Sequence, residues 1–589
     1  MTYTLSRWKL DALIPSSADG LEMDKAIKAF DKRVKKVEGW RKKLKASMPA
    51  KDFLALLKDY EAMQEAGMRL FAFTNLQFSA DTQNQAALAL LGQIDQLFAE
   101  SQNRVLFFSL WWKALDNKNA AQLMKASGDV RYWLEDMRHF KPHTLSEPEE
   151  KVINIKNVNG PNAIQTLYEM ITNKFTFDIE VNGEKKTLTR DSLMVYARGV
   201  DAGLREAAYK ELYRVYGEHG PLLAQIYASL MRDWRSENVA LRKFKSPMAV
   251  RNLVNDLPDS VVETLLKVIK DNAGVFQRYF KLKAKWIGME RLRRYDIYAP
   301  LAKSEKEYSY DLGVQMVLDT FGEFSPHVGE LAQQVFDDGH VDSEVRQGKR
   351  GGAFCAGVLP GVSPWVLLNY NGKAQDVATT AHEMGHAIHA LLAADHSILT
   401  FHSALPMAET ASVFSEMLLT EKLLAQETDP AVKRDLLAGA IDDAYATVGR
   451  QGFFALWEKE AHEMVKENKT ADEMAARYLE TLNEQFGNAV DISQEFKWEW
   501  VSIPHFYGSP FYVYAYSFGQ LLVLALYEMY KQEGESFKPK YLKILEYGGA
   551  EAPARILKEA GINIASAKFW QGGFDAISRM IDELEKMEG

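Results

Sequence analysis

Between Asp24 and Lys118 a single proline, Pro49, interrupts a charged sequence whose apolar residues recur at helical spacing, as in Phe53, Leu54, Leu56, Leu57 and Tyr60. A stretch so long and so poor in breakers folds as a stack of long helices. Its basic run from Lys32 to Lys45 carries Val34, Val37, Trp40 and Leu44 as an apolar stripe, so it reads as the solvated face of a helix, not a nucleic-acid patch. Further on, Phe175, Phe177, Ile179 and Val181 alternate with polar residues ahead of Asn182-Gly183 and Lys185, Lys186, Thr187, Leu188, which predicts a β-hairpin. Helical periodicity resumes at Asp191 and runs to about Phe324. We place a lobe boundary there, with an N-terminal helical lobe over 1–200, hairpin included, and a second lobe over 201–589.

After Phe324 the rhythm breaks. Gly348, Gly351, Gly352, Gly357, Pro360, Gly361 and Pro364 surround short apolar runs, and Val366-Leu367-Leu368-Asn369-Tyr370 reads as a strand of a small sheet. None of these glycines forms a phosphate-cradling motif. The segment Phe276–Tyr298 interleaves aromatics with seven Lys and Arg residues, a pattern that could stack bases, but it reads better as an amphipathic helix ending in a Tyr-rich loop. The 589 residues carry 71 Lys+Arg against 80 Asp+Glu, a net charge of −9, and that field repels polyanions. Hydrophobic residues at 47% and charged residues at 26% exclude a disordered or collagen-like chain. No apolar run approaches the ~18 residues of a membrane span. Residues 1–20 lack a basic start followed by an apolar core, so no signal peptide is read there. One cysteine, Cys355, excludes an internal disulfide and a thiolate zinc framework. These features lead us to expect a cytoplasmic chain with neither nucleic-acid nor membrane partner; they leave oligomeric state open.

The chemistry concentrates just beyond the predicted strand. Asp376 can cap a helix that contains His382-Glu383-Met384-Gly385-His386, an H-E-x-x-H motif. Four residues turn a helix by about 400°, so the two imidazoles lie about 40° apart on one face and can share one zinc ion. Glu383 stands about 100° round the helix, where its carboxylate can reach a metal-activated water without taking a coordination position. Five of the 12 histidines fall between His382 and His402. Catalytic zinc takes three protein ligands and keeps one position open, so a third ligand must come from His389, Asp395, His396, His402, Glu409 or Glu416. His389 lies about 4.5 Å further along the axis than His386, too far to close the site, and reads as packing or support. Pro406 can open a second helix on which Glu409, Ser412 and Glu416 share a face. Glu409 is the better third ligand there, with Glu416 left to orient a ligand histidine.

Four stretches resemble the thimet oligopeptidase and oligoendopeptidase F family of zinc metallopeptidases, nearest its oligoendopeptidase F branch. They are Trp8–Leu13; Gly352–Cys355 with Val366–Tyr370; His382–His389 with Met407–Ser412; and His505-Phe506-Tyr507 with Pro510–Tyr516. The resemblance implies a mainly α, elongated, multi-helix zincin-type metallopeptidase. A small β-sheet would lie beside the H-E-x-x-H helix, along a deep channel for short unstructured peptides, and 201–589 would be the catalytic lobe. It implies one Zn²⁺ per chain on His382, His386 and Glu409, with Glu383 as general base, and a His/Tyr loop that closes over the peptide and donates to the oxyanion. We assign that donation to His505 and Tyr514, and peptide contacts to Tyr507, Tyr512, Gly352 and Asn369; an aromatic core patch is the competing reading of this loop. The strand Val366–Tyr370 could pair with an extended peptide.

The function expected is therefore hydrolysis of internal bonds in short peptides. Rival readings are a thermolysin-like aminopeptidase, whose Gly-x-Met-Glu-Asn element is missing, and a helical peptide-binding module without metal. No Gly-x-Ser-x-Gly supports a serine hydrolase, and Cys355 reads as a small buried residue.

Overall fold

The computed structural model describes residues 2–15, 20–301 and 307–587; positions 1 and 16–19 of the stretch read above for a signal peptide lie outside them. The first periodic segment becomes three long helices, Leu21–Glu38, Ala50–Ala80 and Gln85–Ala114. Pro49 stands just ahead of the second, where a missing N–H is no loss. Val34, Val37, Phe53 and Leu56 are fully buried. On the opposite face Lys35 and Lys36 reach Asp31 and Asp59, each at 2.6 Å. The hairpin forms as Phe177–Val181 and Glu184–Leu188. Asn182 and Gly183 hold φ of 55° and 82°, the doubly left-handed pair that a twisted two-residue turn demands.

Three short strands form the small sheet. Trp365–Leu367 runs in the middle, parallel to Val341–Asp342 and antiparallel to Phe354–Ala356. The strand predicted over 366–370 thus begins one residue earlier and ends at Leu367, and it is corrected in role as well. Both its edges are taken, because Leu368 N–H still donates to the Asp342 carbonyl (2.8 Å) past the end of the ladder. A peptide cannot add to a middle strand. The edge strand is Phe354–Ala356. Trp8, Leu13, Phe53, Trp112, Trp365 and Leu367 share one apolar cluster, which ties the opening segment and the long helices to this sheet.

Contacts divide the chain into two compact units, one of Met1–Lys141, Glu305–Gln426 and Met529–Ile562, the other of Pro142–Ser304, Glu427–Glu528 and Asn563–Gly589. The chain leaves and re-enters each unit. In the second unit the basic segment after Phe276 is answered by carboxylates: Lys283 meets Asp442 at 2.7 Å, Arg293 meets Asp296 at 2.6 Å and Arg294 meets Glu499 at 2.8 Å. Among the described residues no helix is long and apolar enough to cross a membrane.

Candidate active site

The H-E-x-x-H motif lies in the first unit on the helix Ala374–Leu392, whose inner side buries Val377, Ala381, Met384, Ala387 and Ile388. Asp376 is its third residue, not its cap: its carboxylate accepts from the N–H groups of Lys373 and Asn371, both at 2.9 Å, which holds the first turn from inside. His382 and His386 stand one turn apart with ring centroids 4.9 Å from each other. Glu409 Oε2 lies 3.5 Å from His382 Nε2 and 3.4 Å from His386 Nε2. One ligand atom from each of the three falls within 4.8 Å of the others.

The second helix is not continuous as predicted. A short turn, Leu405–Ala408, ends at Glu409, and the helix proper is Ser412–Gln426. Glu409 therefore sits in the break, where Ser412 Oγ donates to its Oε2 at 2.7 Å. Gly385 explains how this break approaches the histidines. A Cβ there would lie 2.6 Å from Ser412 Cα and 2.7 Å from the Ala411 carbonyl, so only glycine lets the two helices touch. One turn into the second helix, Glu416 hydrogen-bonds His382 Nδ1, which leaves Nε2 turned toward Glu409.

The electrostatics follow from burial opposed by neighbouring charge. Burial pushes His382 down, but the Glu416 and Glu409 carboxylates outweigh it and raise its pKa to about 9. Burial pushes Glu409 up, yet its contact with His386 brings it down to about 2. Glu383 is raised by burial against the pull of both histidines. Its Oε2 is buried and has no protein partner, as a base waiting for a water or substrate proton would be. Two imidazole nitrogens and a carboxylate oxygen match the donor set of a catalytic zinc, with a face left open.

That face opens on a cavity of about 480 Å³ lined by the edge-strand segment Ala353–Gly357, His389, Phe401, His402 and Ser403. Among the other candidate ligands, His389 is buried and pushed down to about 4 by burial, then by His386 and His402. His396 turns away to Asp129, at 2.6 Å. Cys355, half-buried on the edge strand, has its thiol raised by burial and then by Glu383, the reverse of an activated nucleophile. Gly352 and Asn369 do not line the cavity. The Asn369 carboxamide donates to the carbonyls of Arg350 (3.0 Å) and Gly352 (2.8 Å), which holds the loop before the edge strand.

The His/Tyr segment belongs to the second unit. Tyr507 is buried, stacks on Tyr168 at 3.7 Å and donates to the carbonyls of Leu223 and Val501. Tyr514 is fully buried and its Oη accepts from Asn255 Nδ2 at 2.9 Å. Both phenols lie in the core of this unit. The accessible set is His505, Tyr512 and Tyr516, all half-buried, with Tyr516 Oη 3.4 Å from His505 Nε2. Sequence reasoning could not tell Tyr516 from Tyr514 in exposure, because an aromatic-rich run gives no periodic signal separating them.

A helix carrying two zinc-spaced histidines, a buried carboxyl between them and a glutamate from the break before the next helix defines an H-E-x-x-H metallopeptidase centre. Residues 195–576 match the family model of peptidase family M3, and residues 111–177 match that of Oligopeptidase F. The chain belongs to peptidase family M3 and is a metalloendopeptidase. Oligopeptidase PepF of Bacillus subtilis is 23% identical over 98% of this chain and 87% of that protein. An oligoendopeptidase F homolog of Borreliella burgdorferi is 26% identical over 99% of this chain and 98% of its own length. In fold, the chain superposes on a Chlamydophila abortus crystal structure assigned as a peptidase with a TM-score of 0.87 at 23% identity, covering 98% of each chain. The oligoendopeptidase-F structure from Enterococcus faecium gives a TM-score of 0.72 at 22% identity, covering 96% of this chain and 99% of that one.

Proposed function

We propose that this chain is a zinc-dependent oligoendopeptidase that hydrolyses internal bonds of short unstructured peptides, with Glu383 as general base. The observation that carries the reading is the convergence of His382 Nε2, His386 Nε2 and Glu409 Oε2 beside the unpartnered Glu383 carboxyl. The curated relatives' names, oligopeptidase and oligoendopeptidase, support the substrate class.

His382, His386 and Glu409 would hold the zinc ion, which when bound polarises the peptide carbonyl and lowers the pKa of water toward ~7. Glu383 takes the proton from the attacking water and returns it to the leaving amine; burial raises its pKa against the pull of both histidines, which favours its holding that proton between the two steps. Glu416 keeps the His382 ring in the orientation that presents Nε2. An extended peptide would add to the outer edge of Phe354–Ala356, which borders the same cavity. For the developing oxyanion, the donors implied by the family resemblance would come from His505 and Tyr516, with Tyr512 beside them, since Tyr507 and Tyr514 are committed elsewhere. Every residue in this scheme lies in 201–589, the lobe expected to be catalytic. With one half-buried cysteine and no membrane-crossing helix among the described residues, we place the enzyme in the cytoplasm.

The test is a short internally quenched peptide blocked at both ends, digested by zinc-loaded wild type, with and without chelator, beside Glu383→Gln. Cleavage abolished by chelator and restored by zinc is expected, with Glu383→Gln binding zinc normally but losing roughly 10²–10⁴-fold in kcat. A zinc-loaded wild type that leaves every unstructured peptide intact would overturn the reading.

A further inference from the structure

Five non-glycine residues have positive φ among the described residues: Asn182, Lys243, Asp256, Asn468 and Phe511. Asn and Asp tolerate the left-handed region and a long exposed side chain can be accommodated there, but a buried aromatic ring in it is strained. Phe511 has φ 59° and is 1% exposed. It occupies the third position of a turn closed by Tyr512 N–H donating to the Ser509 carbonyl at 3.1 Å, with Pro510 at the second. That is the position which ordinarily takes glycine. Strain of this kind persists only where surrounding structure over-determines it, and such places cluster at functional sites.

Two side chains over-determine it. Glu458, on the helix Arg450–Lys466 and fully buried, accepts the Phe511 N–H on Oε1 at 2.8 Å. Arg251, on the helix Pro247–Val254, donates through Nε to the Pro510 carbonyl at 3.2 Å and places its guanidinium 5.8 Å from the Tyr512 ring centre. A buried carboxyl is costly, and Glu458 Oε2 has no partner, so the group is not explained by packing alone. The turn it grips joins the short helix bearing His505 to Tyr512 and Tyr516. His505 and Tyr512 stack at 5.9 Å, and Tyr512 meets Tyr516 edge-on at 5.3 Å.

We propose that Glu458 and Arg251 are positioning residues that hold the Pro510–Phe511 turn in its left-handed form and thereby fix how His505, Tyr512 and Tyr516 are placed relative to one another. This rests on the reading above in which that segment supplies oxyanion donors. Burial raises the Glu458 pKa to about 8 against the Phe511 N–H and Arg251, so near neutrality it is a neutral acid, and glutamine reproduces both its shape and its acceptor. Methionine keeps the volume but removes the acceptor.

The experiment compares zinc-loaded full-length wild type, Glu458→Met, Glu458→Gln and Arg251→Met on the blocked quenched peptide, with zinc content and hydrogen exchange of the 505–516 segment. For Glu458→Met we expect kcat reduced at least tenfold with KM within threefold, one zinc per chain, and exchange in 509–516 accelerated at least tenfold. Glu458→Gln is expected to recover kcat to within about threefold of wild type. Arg251 is only half-buried, so Arg251→Met keeps the fold and carries the same kcat-selective loss even if Glu458→Met does not accumulate. Wild-type kcat in both methionine variants, or equal impairment of Glu458→Gln and Glu458→Met, would overturn the proposal. Failure of the oligopeptidase reading is distinct: the wild type itself would not cleave, while the exchange comparison would still report on the turn.

Discussion

At the residue scale, Glu383, His382 and His386 were legible because their mutual placement is written in one helix, where four residues determine both angle and rise. Glu409 was legible in part: its identity was reached through helix-face reasoning, yet it sits in a break between two helices. The Glu416 contact with His382 Nδ1 gives that carboxylate a measurable task. Replacing it by glutamine keeps the shape and removes the charge that makes the ring a better donor. Glu416→Gln is expected to weaken zinc binding by roughly 10–100-fold in competition with a chromophoric chelator, with a smaller change in kcat once zinc is saturating. Unchanged zinc affinity would remove Glu416 from the metal centre. The tyrosines of the 507–516 segment show the opposite limit. Whether Tyr514 or Tyr516 faces solvent depends on Asn255, 259 positions away in sequence, and no local pattern carries that information.

At the scale of elements, the periodic helices and the Asn182-Gly183 hairpin followed from spacing and turn chemistry alone. The small sheet was expected where it lies, but not which of its strands is the edge, because they are two or three residues long and pairing order is set by non-local contacts. That is why the middle strand was mistaken for the peptide-binding edge. The approach of the two metal-site helices depends on a feature the motif itself conceals. Its x positions are Met384 and Gly385, and the glycine is what admits the Ala411–Ser412 backbone. Gly385→Ala would place a methyl 2.6 Å from Ser412 Cα, so the helix carrying Glu416 and the break carrying Glu409 must retreat. We expect a loss of about 1–3 kcal/mol in stability by chemical denaturation, together with less than one zinc per chain after dialysis. An alanine variant with full zinc content and wild-type stability would show that the close approach is dispensable.

At the scale of the whole molecule, the interleaved units were hidden from sequence reading, since a chain that leaves a unit and returns leaves no composition shift at the crossing. What the buried titratable groups do to the molecule is additive and can be worked out. Burial pushes His389 and His462 down to about 4 and about 3 from an ordinary 6.5. Below pH 6.5 the unfolded chain binds two protons that the folded chain refuses, so stability falls as pH drops. Glu458 acts in the other direction. Burial raises it to about 8 from 4.5, so between those values the folded chain keeps a proton the unfolded chain has lost, and stability falls as pH rises. From pH 4.5 to 6.5 the histidines that burial lowers, His340, His402 and His505 beside these two, outweigh the one carboxyl and stability rises with pH; above 6.5 Glu458, with His139 and His396 raised by Asp136 and Asp129, makes it fall. In chelator, His382 at about 9 steepens that alkaline fall. The melting temperature of the metal-free chain should therefore peak near pH 6.5. His462→Leu removes one proton from the acid side, so its acid limb should be shallower than that of wild type while the alkaline fall persists. A peak above pH 8, or an acid limb unchanged in His462→Leu, would mean that these buried groups do not govern the pH response of the fold.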